Sequence, residues 1–270
     1  MNFIKKLELI QKKNSSLLCV GLDPSLERLP ESCRVQPQPF LAFNRALIDA
    51  TADLVCAYKP QIAHYAAAGA ELELLLTINY IHENYPDIPV ILDAKRGDIG
   101  STAEKYAVEA FIRYQADAVT VNPYLGGDSL EPFLKYQEKG VVILCRTSNP
   151  GGRDLQGLAV DGEPLYLKLA ELAALSWNKN HNILLVVGAT WPAELARVRE
   201  KVGDIPLLVP GIGAQGGDLA AVMQAGLDRH GAGLVINSSR GIIYADSGED
   251  FAEAARQAAL ELRDAINSHR

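Results

Sequence analysis

The sequence predicts a (β/α)8 TIM barrel, an α/β fold, as one domain over residues 1–270. Three observations carry that expectation. Eight short runs rich in Val, Ile and Leu recur without clean apolar–polar alternation, as parallel strands buried on both faces require. Longer stretches with apolar residues at helical spacing lie between them. Polar residues gather where the runs end, and that is where such a barrel keeps its chemistry.

The opening MNFIKKLELIQKK alternates apolar and basic residues too quickly for a signal peptide and reads as a short amphipathic helix. The strand runs follow as LLCVGLD (17–23), DLVCAYK (53–59), IPVILDAK (88–95), DAVTVN (117–122), GVVILCRTS (140–148), ILLVVGAT (183–190), IPLLVPGIG (205–213) and GLVINSSR (233–240). Helical spacing marks FLAFNRALIDATADL (40–54), AGAELELLLTINYIHENY (68–85), TAEKYAVEAFIRYQA (102–116), PLYLKLAELAALSWNKN (164–180) and LAAVMQAGLDRHG (219–231), and EDFAEAARQAALELRDAINS closes the series. This alternation, over roughly 250 residues, suits a barrel better than its main rival, a doubly wound open sheet. No linker rich in Ser, Pro or Gly divides the chain, and no fixed-period repeat appears.

Composition narrows the function classes. With 48% hydrophobic and 22% charged residues the chain is globular. It has no apolar run of about 18 residues, so no membrane span is expected. A net charge of −7 does not steer nucleic acid, although a local basic pocket could still hold a phosphate. Cys19, Cys33, Cys56 and Cys145 show no zinc or redox spacing. Three of them, Cys19, Cys56 and Cys145, sit in apolar runs as core residues, and a reducing cytoplasm is the expected compartment. The five histidines form no HExxH-like pair, and nothing in the sequence points to a metal.

The stretch VILDAKRGDIGSTAEKYA (90–107) concentrates charge at a strand end. Alternation puts Asp93 and Lys95 on one face and turns Arg96 away. Gly97 lets the chain turn before Asp98. Ser101 followed by Glu104 is a capping-box pattern that starts the next helix near Thr102. Charges in a low-dielectric pocket are costly unless each has a partner. Lys59, ending the preceding strand run, is the natural extra cation. A Lys59–Asp93–Lys95–Asp98 array would titrate as a coupled set, suited to keeping one lysine protonated beside a reacting carbon. The plain alternative is a solvated turn with surface ion pairs. It weakens once Asp23 and Lys59 are seen to end neighbouring strand runs.

PGIGAQGGD is formally a GxGxxG after a strand run. The dinucleotide reading needs an acid about 20 residues on, and INSSRG holds none. Turns after the seventh and eighth strands of a barrel often bind phosphate through backbone N–H groups. There Gln215 can donate an amide hydrogen bond and Arg240 offers a fork for phosphate oxygens. The long segment RTSNPGGRDLQGLAVDGEP has the length of a lid or binding loop, and Ser148 and Asn149 at its root could read a polar ring.

LDAKRGDIGST resembles the D-x-K-x-x-D-I-x-x-T signature of the orotidine 5′-phosphate decarboxylases. The resemblance extends to Lys59, to TSNPG, to PGIGAQGGD and to Arg240, in the family's order and over nearly the whole chain. It is closest to the longer bacterial and archaeal variety. The insert PSLERLPESCRVQPQP (24–39) and the long loop after the fifth strand exceed compact members, and Ser239 stands where Gly is expected. The resemblance implies conversion of orotidine monophosphate to uridine monophosphate and CO2 in pyrimidine biosynthesis, without metal or cofactor, by a homodimer with shared active sites. Carried over by position, Lys95 donates the proton to C6 and Asp93 flanks the leaving carboxylate. Lys59 and Asp98 complete the charged array. Asp98 and Thr102 reach into the partner's site, Asp23 and Lys59 bind ribose hydroxyls, Ser148 addresses the pyrimidine, and Gln215 and Arg240 hold the phosphate. The nearest rival is a magnesium-dependent keto-sugar-phosphate decarboxylase or hexulose-phosphate synthase on the same scaffold. A non-catalytic nucleotide-phosphate binding barrel is the second, and it gains nothing from so expensive a charged array.

Overall fold

The computed structural model describes residues 1–212 and 217–270. Its main strands are β1 (Leu18–Leu22), β2 (Ala57–Pro60), β3 (Ile91–Arg96), β4 (Ala118–Val121), β5 (Gly140–Arg146), β6 (Ile183–Val187), β7 (Leu207–Pro210) and β8 (Leu234–Ser238). Each coincides with one of the eight apolar runs, β2 and β3 ending one residue beyond theirs, at Pro60 and Arg96. All neighbours pair in parallel, in the order β2-β1-β8-β7-β6-β5-β4-β3. The ring is shut between β2 and β3 by the bridges Tyr58–Val90 and Gln61–Asp93. Burial explains the missing alternation: every residue of β1, β2, β4, β6 and β8 is buried, one face against the barrel interior and the other against helices.

The amphipathic helix Phe3–Lys13 covers the N-terminal end of the barrel with Phe3, Leu7 and Ile10 buried, and Asn2 caps it by accepting from the Lys5 amide. Phe3 lies under Gly140, where a Cβ would meet its ring. The same end holds a charge clamp. Asp117 accepts from Lys6 Nζ at 3.1 Å and the Val90 amide at 2.8 Å, and contacts His82 Nε2 at 3.0 Å. Burial alone would raise the Asp117 pKa, but the His82 hydrogen bond and the Lys6 charge outweigh it and hold the carboxyl below its ordinary range.

Most helical stretches form as their spacing requires, among them Pro39–Thr51, Glu71–Asn84, Leu219–Gly226 and Phe251–Asn267. Helices Gly127–Leu134 and Pro192–Val202 complete the alternation after β4 and β6. The expected helix start near Thr102 is corrected. The helix runs Gly100–Val108, its N-cap is Ile99, and no side chain caps it. The Asp98 carboxylate accepts the Ile99 amide at 2.8 Å, so the turn is closed before Ser101 is reached.

The two long excursions are folded. Insert 24–39 forms a 3-10 turn, Leu26–Arg28, and a short helix, Glu31–Arg34. It leans on Tyr244, whose hydroxyl accepts the Ser25 amide at 2.7 Å and whose ring lies 3.8 Å from the Arg28 guanidinium. The loop after β5 contains the 3-10 turn Pro150–Asp154 and a hairpin pairing Ala159–Val160 with Glu163–Pro164.

Candidate active site

β2 and β3 bring Lys59 and Asp93 together at the C-terminal mouth. Lys59 Nζ donates to Asp93 Oδ2 at 2.8 Å, and Lys95 Nζ donates to Asp93 Oδ1 at 2.6 Å. Thr120 on β4 also donates to Asp93 Oδ1, at 2.8 Å. One carboxylate is thus gripped by two ammonium groups and a hydroxyl. Lys59 and Asp93 are buried, whereas the Lys95 side chain is 46% exposed and faces the mouth.

Electrostatics follow from that arrangement. Burial alone would raise the Asp93 pKa, but Lys59 and then Lys95 reverse the effect and hold it far below the carboxylate range. Burial alone would lower Lys59, but Asp93 and then Asp23 push it above the ordinary lysine range. Both groups of the buried pair are therefore charged at neutral pH.

Asp93 and Lys95 meet as expected, but strict alternation does not explain how Lys95 reaches Asp93. The pairing of β3 with β4 shifts register between Leu92 and Arg96, and Lys95 itself has a φ of 47°. A left-handed backbone at a non-glycine residue costs about 1–3 kcal/mol and persists only where its surroundings over-determine it. Thr120 supplies the constraint, because its Oγ1 accepts the amides of both Ala94 and Lys95 at 2.9 Å. The sequence reading passed over Thr120. Its signal was a lone hydroxyl inside the apolar run DAVTVN, on the strand beside the charged one. Arg96 turns away as expected, to Glu109 at 2.9 Å and over the Tyr106 ring at 4.7 Å.

The other expected residues are spread around the mouth. Asp23 follows β1 on the same face as Lys59, given the Gly21–Lys59 register. Among the described residues its buried Oδ1 has no hydrogen-bond partner, and a buried acceptor is penalised by desolvation until something donates to it. Ser148 is half-buried just beyond β5. Its backbone crosses Gly188, where a Cβ would sit 2.7 Å from Ser148 Cα. Arg240 is exposed at the first position of the short helix Arg240–Ile243, directly after β8. Ser239 occupies the expected glycine position at a φ of −119°, outside the left-handed region that favours glycine. Its hydroxyl fills the space that the missing side chain of Gly21 leaves open. Gln215 lies outside the described residues. Asp98 does not join the array within one chain; among the described residues its carboxylate bonds only the adjacent Ile99 amide. Thr102 is exposed on the first turn of the following helix.

Among the described residues no three His, Cys, Asp or Glu side chains gather as a metal-holding group. Asp93, the best-placed carboxylate, is already engaged by two cations, and a divalent ion there would meet their repulsion.

Fold and site define a class: a (β/α)8-barrel enzyme that carries a lysine–carboxylate–lysine centre at the strand C-termini. The chain belongs to the Orotidine 5'-phosphate decarboxylase / HUMPS family, whose model matches residues 16–258. A curated Dechloromonas aromatica protein, orotidine 5'-phosphate decarboxylase, is 62% identical over 270 residues, all of both chains. The solved OMP decarboxylase of Leishmania donovani superposes with a TM-score of 0.87 at 42% identity, covering 100% of this chain and 98% of that one. The UMP synthase of the same organism gives a TM-score of 0.89 at 44% identity, and the match covers 100% of this chain but 56% of that longer one.

Proposed function

We propose that the Lys59–Asp93–Lys95 centre removes CO2 from orotidine 5′-monophosphate electrostatically, without metal or cofactor. The activity itself is that of the family's decarboxylase branch: the chain is a carboxy-lyase of pyrimidine biosynthesis, as its full-length curated relatives are named. One observation carries the mechanism, the grip of two ammonium groups on one buried carboxylate.

Breaking the C6–carboxylate bond leaves its electron pair on a ring carbon. A fixed positive charge beside that carbon stabilises the developing carbanion without reorganisation. Lys95 supplies the charge and then a proton from Nζ, which forms the C6–H bond of uridine 5′-monophosphate; solvent reprotonates the amine. Asp93 disfavours the substrate carboxylate next to it and orients Lys95. Lys59 keeps Asp93 ionised. Asp23 and Lys59 address the ribose, Ser148 the pyrimidine, and Gln215 with Arg240 the phosphate. Binding energy from the distant phosphate offsets the crowding of carboxylates at the reacting end.

The active unit is a homodimer with shared sites. Among the described residues neither Asp98 nor Thr102 makes a side-chain hydrogen bond or ion pair to the trio of its own chain, and their segment exposes Ile99, Val108 and Ile112. A cavity of about 550 Å³ lined by Tyr124, Leu155, Leu172 and Trp177 adds apolar surface, and such surface favours burial against another copy. No helix among the described residues is long and apolar enough to cross a membrane. The cysteines, all free and buried, fit a reducing cytoplasm.

An absorbance assay with orotidine monophosphate, with and without EDTA, tests the reading. Lys95→Ala is expected to lose about 10²–10⁴-fold in kcat. Activity that disappears with EDTA and returns with magnesium would favour the metal-dependent rival. Two inactive variants, Lys95→Ala and Asp98→Ala, should recover activity when co-folded if the sites are shared.

A further inference from the structure

The loop after β5 hangs from a buried arginine that the mechanism leaves unused. Arg146, the last residue of β5, is 1% exposed. Its Nε donates to Glu194 Oε2 at 2.6 Å, and its Nη1 donates to the Thr147 carbonyl and to Gln156 Oε1, both at 3.2 Å. Its guanidinium carbon lies 4.6 Å from the Trp191 ring centre. Trp191 Nε1 donates to the same Thr147 carbonyl at 3.1 Å. Gln156 closes the circuit: Oε1 accepts the Thr147 amide and Nε2 donates to Thr147 Oγ1, each at 2.9 Å. Gly152 packs so closely that a Cβ there would sit 2.6 Å from Arg146 Nη1.

Thr147 is therefore held at its amide, its hydroxyl and its carbonyl, and Ser148 is the next residue. Ser148 is fixed from the other side too, by its passage over Gly188 and by Thr190 Oγ1, which donates to its carbonyl at 3.3 Å. A fully desolvated guanidinium is costly even when paired, and a plain surface excursion has no need of one. We propose that Arg146 is a positioning residue for Ser148. Together with Glu194, Gln156 and Trp191 it makes the root of this loop a preformed wall against the pyrimidine, so that substrate does not have to order it. Preorganisation of this kind raises affinity by removing the entropy of ordering on binding. The proposal rests on the assignment of Ser148 to the pyrimidine made above.

The test is a double-mutant cycle on the full chain with Arg146→Lys, Ser148→Ala and both together. It measures kcat and KM for orotidine monophosphate, and Tm for each protein. Arg146→Lys should lower kcat/KM roughly tenfold to a hundredfold, mostly through KM. In the Ser148→Ala background the same change should cost less than about twofold, because coupled residues are not additive. The Tm losses should show no such coupling. Trp191→Phe, which keeps an aromatic ring and deletes the Nε1–Thr147 bond, repeats the cycle if Arg146→Lys fails to fold. Additive kcat/KM losses alongside a damaging Ser148→Ala would overturn the clamp and leave the Ser148 assignment standing. A silent Ser148→Ala would overturn both.

Discussion

Replacing Thr120 with Val keeps the shape of the side chain and deletes three hydrogen bonds at once. One goes to the Asp93 carboxylate at 2.8 Å, and two come from the Ala94 and Lys95 amides at 2.9 Å. A hydrogen bond to a charged group contributes about 1.5–3 kcal/mol. The orphaned amides belong to partly exposed residues, so water replaces much of what they lose. A total near 3 kcal/mol follows, which lowers Tm by roughly 6–12 °C for a chain of this size. The same change releases the left-handed backbone of Lys95. If about 1.4 kcal/mol of the loss falls on the transition state, kcat drops about tenfold. Thr120→Ser, which keeps the hydroxyl, should restore most of both. Differential scanning calorimetry and a steady-state decarboxylation assay read the outcome. A Val variant with wild-type Tm and wild-type kcat would refute the idea that this hydroxyl sets the geometry of the array.

Lys95→Gly should abolish turnover without lowering Tm by more than a few degrees, because glycine relieves the positive φ at position 95; a large fall in Tm would show that the ion pair outweighs the strain. Asp93→Asn strands the buried Lys59 ammonium and should cost about 3–5 kcal/mol, measured by denaturant unfolding. Its pH dependence has a definite sign. Because the Asp93 pKa is depressed on folding and that of Lys59 is raised, the contribution of Asp93 is complete above about pH 4 and fades as pH falls further. That of Lys59 is complete below about pH 10 and fades as pH rises further. The Tm gap between wild type and Asp93→Asn should thus be flat from about pH 5 to 9 and narrow in acid. Asp117→Ala at the opposite end of the barrel should cost roughly 1–3 kcal/mol with kcat unchanged; a matching loss of kcat would show that the two ends are coupled.

The barrel was legible because burial on both faces writes itself into strand composition: each of the runs that lacked alternation holds a strand, which outruns it by at most one residue at its end. Lys59 and Asp93 were legible for the same reason, as charges ending otherwise apolar strands. What the sequence hid was local backbone. The register shift between Leu92 and Arg96 and the positive φ of Lys95 cannot be read from side-chain alternation, which assumes an unbroken register, and the Thr120 hydroxyl that holds them looks like any β-branched strand residue. The capping box at Ser101 failed because a competing carboxylate, Asp98, satisfied the turn first. The Arg146 network was invisible because Glu194 lies on a helix 48 residues downstream, a distance no motif spans.

Gly21 and Ser239 occupy a single volume between the first and last strands of the ring. As the serine now stands, its hydroxymethyl group takes the place a methyl group at position 21 would need. A side chain at 21 would therefore require Ser239 to turn and shift, or glycine at 239, so the two positions are best varied together in any redesign of this end of the barrel.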